Sequence, residues 1–309
     1  KWSLDWSHQK KKCLEIFVLC GSEVIAMIRG IPITKPFLKW AGGKRQLLPE
    51  IRKHYPSHID EYIYYEPFLG AGAVLFDLQP KRAVINDFNT ELILTYRVIR
   101  DCVDELIEVL QRHQKKNNVE YYYEVRAQDR DQKTFKSLSD IEKAARLIYL
   151  NKTCYNGLYR VNSQGLFNVP CGKYKSPAIC EDAVLLAIHN YLQNNEIEIL
   201  NEDFASATQN ADRHSFVYFD PPYHSPDNMN FTGYQAYGFD ENDQIRLRDT
   251  YLKLTERGVK CLLSNSDTDF IRMIFDDKRF KIITVQAKRA INSNSAGRGE
   301  VNEVLIKNW

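Results

Sequence analysis

Asp220-Pro221-Pro222-Tyr223 closes an apolar run, Ser215 to Phe219, and these four residues suit attack by an exocyclic amine. The amino nitrogen of adenine is a poor nucleophile because its lone pair is delocalised into the ring. Two acceptors taking its two hydrogens would pull the nitrogen toward a pyramidal shape and free that pair. Asp220 can supply one acceptor and the Pro221 carbonyl the other. Pro221 and Pro222 stiffen the backbone, so little ordering entropy remains to be lost when a base arrives, and Tyr223 can stack on the ring. A strand that merely ends in a Pro-Pro turn would read the same way locally, so the decision falls to the rest of the chain.

A methyl donor needs its own seat. Glu66-Pro67-Phe68-Leu69-Gly70-Ala71-Gly72 follows a strand-like Tyr62 to Tyr65 and precedes a helix-like Ala73 to Leu78. Gly70 and Gly72 match two glycines of a dinucleotide fingerprint, but Leu75 stands at the third, so close pyrophosphate packing is not indicated. Such a turn better suits a ligand without phosphate, for example the amino acid end of S-adenosylmethionine. Asp87 ends a second strand, Arg82 to Asp87; it either accepts ribose hydroxyls or caps the helix that follows, Asn89 to Ile99. Upstream, Phe37-Leu38-Lys39-Trp40-Ala41-Gly42-Gly43-Lys44 offers a flat ring in Trp40 and a charge in Lys44 around a glycine turn, though a plain turn into a helix fits it as well.

The third group is basic. Lys143 to Cys180 carries Lys143, Arg146, Lys152, Arg160, Lys173 and Lys175 without one Asp or Glu, in a chain of net charge +2. Tyr155, Asn156, Tyr159, Asn162, Gln164, Asn168 and Tyr174 are interleaved, the donors and rings that contact phosphates and base edges. A solvated basic loop is the alternative. A second acid-free stretch, Ala287 to Gly299, holds Lys288, Arg289 and Arg298 and could grip a phosphate or be a disordered loop. The polar, aromatic segment His224 to Gly238 is long enough to be a working loop over the site.

These groups need a scaffold that brings them to one place. Strand and helix patterns alternate up to residue 100 and again from 194, which predicts an α/β fold with a doubly wound, mostly parallel sheet of Rossmann-like type. In such sheets ligands bind at the carboxyl ends of the strands, where Asp87 and Asp220 fall. Residues 101–193 interrupt the alternation and read as an inserted, mainly helical lobe, with Gln128 to Ser139 a charged connection and Asp140 a cap for the helix after it. The catalytic domain is then 34–100 with 194–309. Residues 1–33 read as a poorly structured extension, or a leader ahead of a natural start at Met27, with no apolar run fit to span a membrane. With 309 residues and 44% hydrophobic content the chain can bury a full core, and seven dispersed cysteines without a C-x-x-C pair argue against a disulfide framework and a zinc site.

Assembled in this order, the motifs resemble the Dam family of DNA adenine N6-methyltransferases, the D12 class, from about Lys35 onward. Tyr155-Asn156-Gly157-Leu158-Tyr159-Arg160 and Phe167-Asn168-Val169-Pro170 complete the set already quoted. The resemblance implies transfer of a methyl group from S-adenosylmethionine to a flipped-out adenine in duplex DNA, within GATC, in the cytoplasm of a bacterium or from a phage genome. It implies a cofactor pocket of Trp40, Lys44, Gly70, Gly72, Asp87 and Asp220, and a reading surface of Lys39, Asn156, Leu158, Arg160, Pro170 and Tyr174. Double-stranded DNA is the implied partner, with no metal and with a cognate restriction endonuclease possible. A methyltransferase for glutamine side chains or RNA, or a noncatalytic DNA-binding regulator, would share parts of the pattern.

Overall fold

The apolar runs of the sequence pair into one seven-stranded sheet: β1 (Ile63–Glu66), β2 (Arg82–Asn86), β3 (Glu196–Leu200), β4 (Ser215–Phe219), β5 (Lys260–Ser266), β6 (Lys281–Lys288) and β7 (Glu300–Lys307). The structure is a computed structural model and describes residues 34–40, 44–225, 238–288 and 300–309. The expectations for 1–33, the Gly42-Gly43 turn, most of the loop after His224 and most of the basic connection before β7 lie outside these residues.

Strand order is β3-β2-β1-β4-β5-β7-β6. The first five strands are parallel, and β7 alone runs antiparallel, inserted between β5 and β6. The chain winds from β1 through β2 to β3 on one side, then starts again beside β1 with β4 and winds the other way. That reversal opens a crevice between the carboxyl ends of β1 and β4.

All five residues of β4 are buried, as a central parallel strand covered on both faces requires. Its side chains alternate between two cores. Phe216 and Tyr218 join Tyr64, Ile85 and Leu262 on one face, while Val217 and Phe219 join Tyr65, Leu263 and Ile306 on the other. Each fully buried side chain of this size contributes about 1.5–3 kcal/mol.

The helices are α1 (Leu48–Arg52), α2 (Ala73–Leu78), α3 (Thr90–Asp101), α4 (Val103–Lys116), α5 (Val119–Ala127), α6 (Gln132–Ser137), α7 (Asp140–Thr153), α8 (Asp182–Gln193), α9 (Phe204–Ala207), α10 (Glu241–Glu256) and α11 (Asp269–Ile274). Helices α4, α5, α7 and α8 bury Leu106, Tyr122, Leu147 and Ile188 in the same core as Phe216 and Tyr218, so the inserted helices extend one face of the sheet. The second face is covered by α10 and α11 through Leu247, Tyr251 and Ile271.

Two local expectations are corrected. The charged stretch after Gln128 holds a 3₁₀ turn and α6, whose first N–H groups are met by Asp131. Asp140 does not cap α7. Ser139 does, in a capping box with Glu142, because its hydroxyl accepts from the Glu142 N–H while Glu142 accepts from the Ser139 N–H.

Candidate active site

Asp220 is the first residue beyond β4, and its side chain is 19% exposed. Lys44 Nζ lies 2.6 Å from its Oδ1, and Ser264 Oγ on β5 donates to the same oxygen at 3.0 Å. Burial pushes the Asp220 carboxyl above its ordinary range, and Lys44 and Ser264 oppose that shift. Lys44 also sits 4.3 Å from the ring centroid of Tyr223, whose hydroxyl donates to Glu303 on β7 at 2.8 Å. Lys44, Asp220 and Tyr223 are thus one contact group, although the chain separates Lys44 from the other two by the whole inserted region.

Beside it lies the glycine turn. Gly70 and Gly72 have φ +50° and +71°, which only glycine adopts freely. Asp87 holds the turn: one carboxylate oxygen accepts the Gly70 N–H at 2.9 Å and the other the Asn89 N–H at 2.9 Å. Of the two roles open to Asp87 in the sequence, the helix cap belongs to Asn89, which accepts from Leu92 N. Trp40 packs on the turn so closely that a Cβ on Gly70 would meet its ring at 2.9 Å. Phe88, the residue after Asp87, is 58% exposed, a large apolar ring at the surface that sequence reasoning did not single out.

Glu66 was missed as well. It ends β1 between the strands that carry Asp87 and Asp220, is 2% exposed, and accepts from Tyr64 OH at 2.9 Å. Burial, reinforced by nearby Asp220 and Asp87, pushes its carboxyl well above the ordinary range, against the pull of the Tyr64 hydrogen bond. A neutral Glu66 avoids three adjacent negative charges.

The residues expected to read DNA lie on one loop, apart from Lys39, which the segment before Trp40 brings beside it. Lys39, Asn156, Arg160, Pro170 and Tyr174 are exposed and Leu158 is half-buried. The loop is closed at its neck by an antiparallel backbone bridge at Cys154 and Cys171, both free thiols, with Tyr155 N donating to Pro170 O at 2.9 Å and Gly172 N to Thr153 O at 2.8 Å. Arg160 is steadied by Asn168, Nε to Oδ1 at 2.7 Å. Lys39 lies 5.2 Å from the Tyr174 ring. Fully buried Asn151, unforeseen in the sequence, joins this loop to the segment before Trp40: it accepts Lys39 N and donates to Lys39 O and Gly157 O, all within 2.9 Å. Trp40 in turn stacks on Tyr159 at 5.0 Å.

The basic field is weaker than the acid-free stretch suggests. Arg146 is 2% exposed and paired with Asp129 at 2.8 Å, while Lys152 pairs with Glu181 and Lys143 with Asp140. Acids flanking the stretch in sequence return to it in space. Arg160, Lys173 and Lys175 keep exposed side chains.

A family model for D12 class N6 adenine-specific DNA methyltransferases matches residues 40–291. The chain belongs to that family. The D12 match spans the glycine turn, the loop expected to read DNA and Asp220. The chain is 44% identical to the type II methyltransferase M1.LlaDCHI of Lactococcus lactis subsp. cremoris, over 89% of this chain and 95% of that one. It is 43% identical to the type II methyltransferase M.MjaIII of Methanocaldococcus jannaschii, over 89% and 99%. It is 35% identical to the DNA adenine methylase of Escherichia coli, over 88% and 94%. This D12 enzyme is therefore an adenine-specific DNA methyltransferase. Among its described residues no helix is long and apolar enough to cross a membrane, and no cluster of His, Cys, Asp or Glu could hold a metal.

Proposed function

We propose that the enzyme methylates N6 of an adenine extruded from duplex DNA, within GATC, with S-adenosylmethionine as donor. The observation that carries this reading is the pattern of used and unused acceptors at the strand tip. Asp220 Oδ1 is engaged by Lys44 and Ser264, and the Pro222 carbonyl is engaged by Gln244 Nε2 at 2.9 Å. Asp220 Oδ2 and the Pro221 carbonyl accept no hydrogen bond from the described residues. Those two are the acceptors a planar amine needs.

The cofactor reading rests on residues suited to a nucleoside without phosphate: the Gly70–Gly72 turn pinned by Asp87, and the exposed Phe88 beside it. S-adenosylmethionine, when bound, supplies a methyl group made electrophilic by its sulfonium. Asp220 and Pro221 hold the amine hydrogens, Tyr223 stacks against the extruded ring, and extrusion costs a few kcal/mol, roughly offset by these contacts. The amine held by Asp220 and Pro221 would accept the methyl group that such a donor supplies as it leaves sulfur, and the surplus N–H proton would pass to Asp220 or water. Asn156, Leu158, Arg160, Pro170 and Tyr174 read the flanking bases from the loop of the inserted region, 101–193, joined by Lys39 from the segment before Trp40, with the Arg160 fork suited to a guanine edge. GATC and a cognate endonuclease rest on the resemblance of the motifs.

Expression in a host without adenine methylation tests the whole reading. Host DNA should become resistant to an endonuclease blocked by methylated GATC and sensitive to one that requires it. Methylated adenine appearing at other sites only would overturn the sequence assignment, and none at all would overturn the activity.

A further inference from the structure

Among the described residues, Lys44 and Ser264 occupy Asp220 Oδ1 and Gln244 occupies the Pro222 carbonyl, and two consecutive residues of β5 take part, Ser264 directly and Asn265 through Gln244. Ser264 and Asn265 are fully buried and, as strand neighbours, face opposite ways. Ser264 Oγ meets Asp220 Oδ1 at 3.0 Å and Tyr218 OH at 3.0 Å. An ionised carboxylate only accepts, so the single Ser264 hydrogen goes to Asp220 and Tyr218 must donate to Ser264. Burial keeps the Tyr218 phenol protonated and able to do so. The alternative acceptor for Ser264, the Phe219 carbonyl, is farther at 3.4 Å.

Asn265 works on the backbone. Its Oδ1 accepts the His224 N–H at 3.1 Å, which fixes the amide orientation, and its Nδ2 donates to Gln244 Oε1 at 3.0 Å. Gln244, itself fully buried on α10, is thereby turned so that Nε2 faces the Pro222 carbonyl. The two residues on either side of Tyr223 are thus anchored to β5 and α10.

We propose that Ser264 and Asn265 are the positioning residues of methyl transfer. Ser264, backed by Tyr218, sets the Asp220 carboxylate so that Oδ2 meets the base. Asn265, acting through Gln244, takes the Pro222 carbonyl out of play so that Pro221 presents the second acceptor. Neither touches substrate. The proposal rests on the role given to Asp220 above.

The test is steady-state methyl transfer to DNA with adenine at the target position, with a second duplex carrying 2-aminopurine there, which cannot be methylated at N6, as a separate report of extrusion. Ser264→Ala should lower kcat roughly 10- to 100-fold, as misplacement of a reacting group does, with KM for DNA and cofactor and the extrusion signal little changed. Ser264→Thr, which keeps the hydroxyl, should recover part of the loss. Gln244→Leu should lower kcat in the same way. A Ser264→Ala enzyme with kcat within about twofold of the parent, or one that loses activity only through KM, overturns the proposal. If Ser264→Ala does not fold, Tyr218→Phe decides: a severalfold fall in kcat at unchanged KM supports the relay, and unchanged kcat overturns it. An active Asp220→Ala variant would instead overturn the underlying role of Asp220, so the two failures are distinguishable.

Discussion

The strand tip and the reading loop hold their functional groups in opposite ways. Around Asp220, the supporting partners Lys44, Gln244, Ser264 and Asn265 are buried and each is held by a polar contact at or next to the tip. On the loop, the side chains proposed to meet DNA are exposed, and the rigidity lies beneath them in Asn151 and the backbone bridge at Cys154 and Cys171. The difference teaches what each task demands. Methyl transfer needs atoms fixed to a fraction of an ångström before the substrate arrives. Base reading needs side chains that stay hydrated until they close on a groove.

That contrast can be broken first at Asp220. Asp220→Ala should cut methyl transfer by roughly a thousandfold or more while DNA binding, read by fluorescence anisotropy, is retained. Because burial raises the Asp220 carboxyl, the parent enzyme should also lose kcat on the acid side at a higher pH than an ordinary aspartate would dictate. A kcat flat down to the ordinary range of aspartate would contradict this.

Rigidity at the glycine turn is the next target. A Cβ on Gly72 would meet Tyr96 OH at 2.8 Å and Phe76 at 2.9 Å, at φ +71°. Gly72→Ala should therefore lose about 1–3 kcal/mol of stability in a denaturant titration and bind cofactor more weakly. The loop should behave differently. Arg160→Ala should leave the thermal midpoint unchanged and relax selection at one guanine by about 1–3 kcal/mol, measured as kcat/KM on near-cognate sites.

The smallest effect sharpens the electrostatics. With its folded pKa raised, Glu66 contributes stability that is present below the ordinary carboxylate range and lost as pH rises through the raised value. Glu66→Gln, which stays neutral, should gain thermal stability over the parent above neutral pH and little at pH 4, as scanning calorimetry would register. An equal difference at both pH values would mean that Glu66 is not neutral in the fold.

Legibility in the sequence followed the range of the interactions. β3 and α2 match their expected spans to the residue, and β4 ends at the residue before Asp220, because strand burial, glycine turns and proline stops are written locally. The glycine turn and Asp220 were found for the same reason. Asn151, Ser264, Gln244 and Glu66 carry no local signature; each acquires its role from partners far along the chain, as when Asn151 grips Lys39 112 residues away. Arg146 was misread for a related reason, since a window free of acids says nothing about Asp129 folding back onto it. Asp140 lost to Ser139 because a hydroxyl there forms a reciprocal pair with Glu142.

The hydrogen bond from Tyr223 to Glu303 also bears on when activity can begin during synthesis. The inserted helices share a core with Phe216 and Tyr218, so the exposed loop takes its place only after β4 has left the ribosome. The Tyr223 ring, proposed to receive the extruded base, would then still lack its anchor, because β7 must slot between two strands translated earlier. A chain translated only as far as β6 would thus hold an unanchored ring, and modification would wait for the last strand of the sheet.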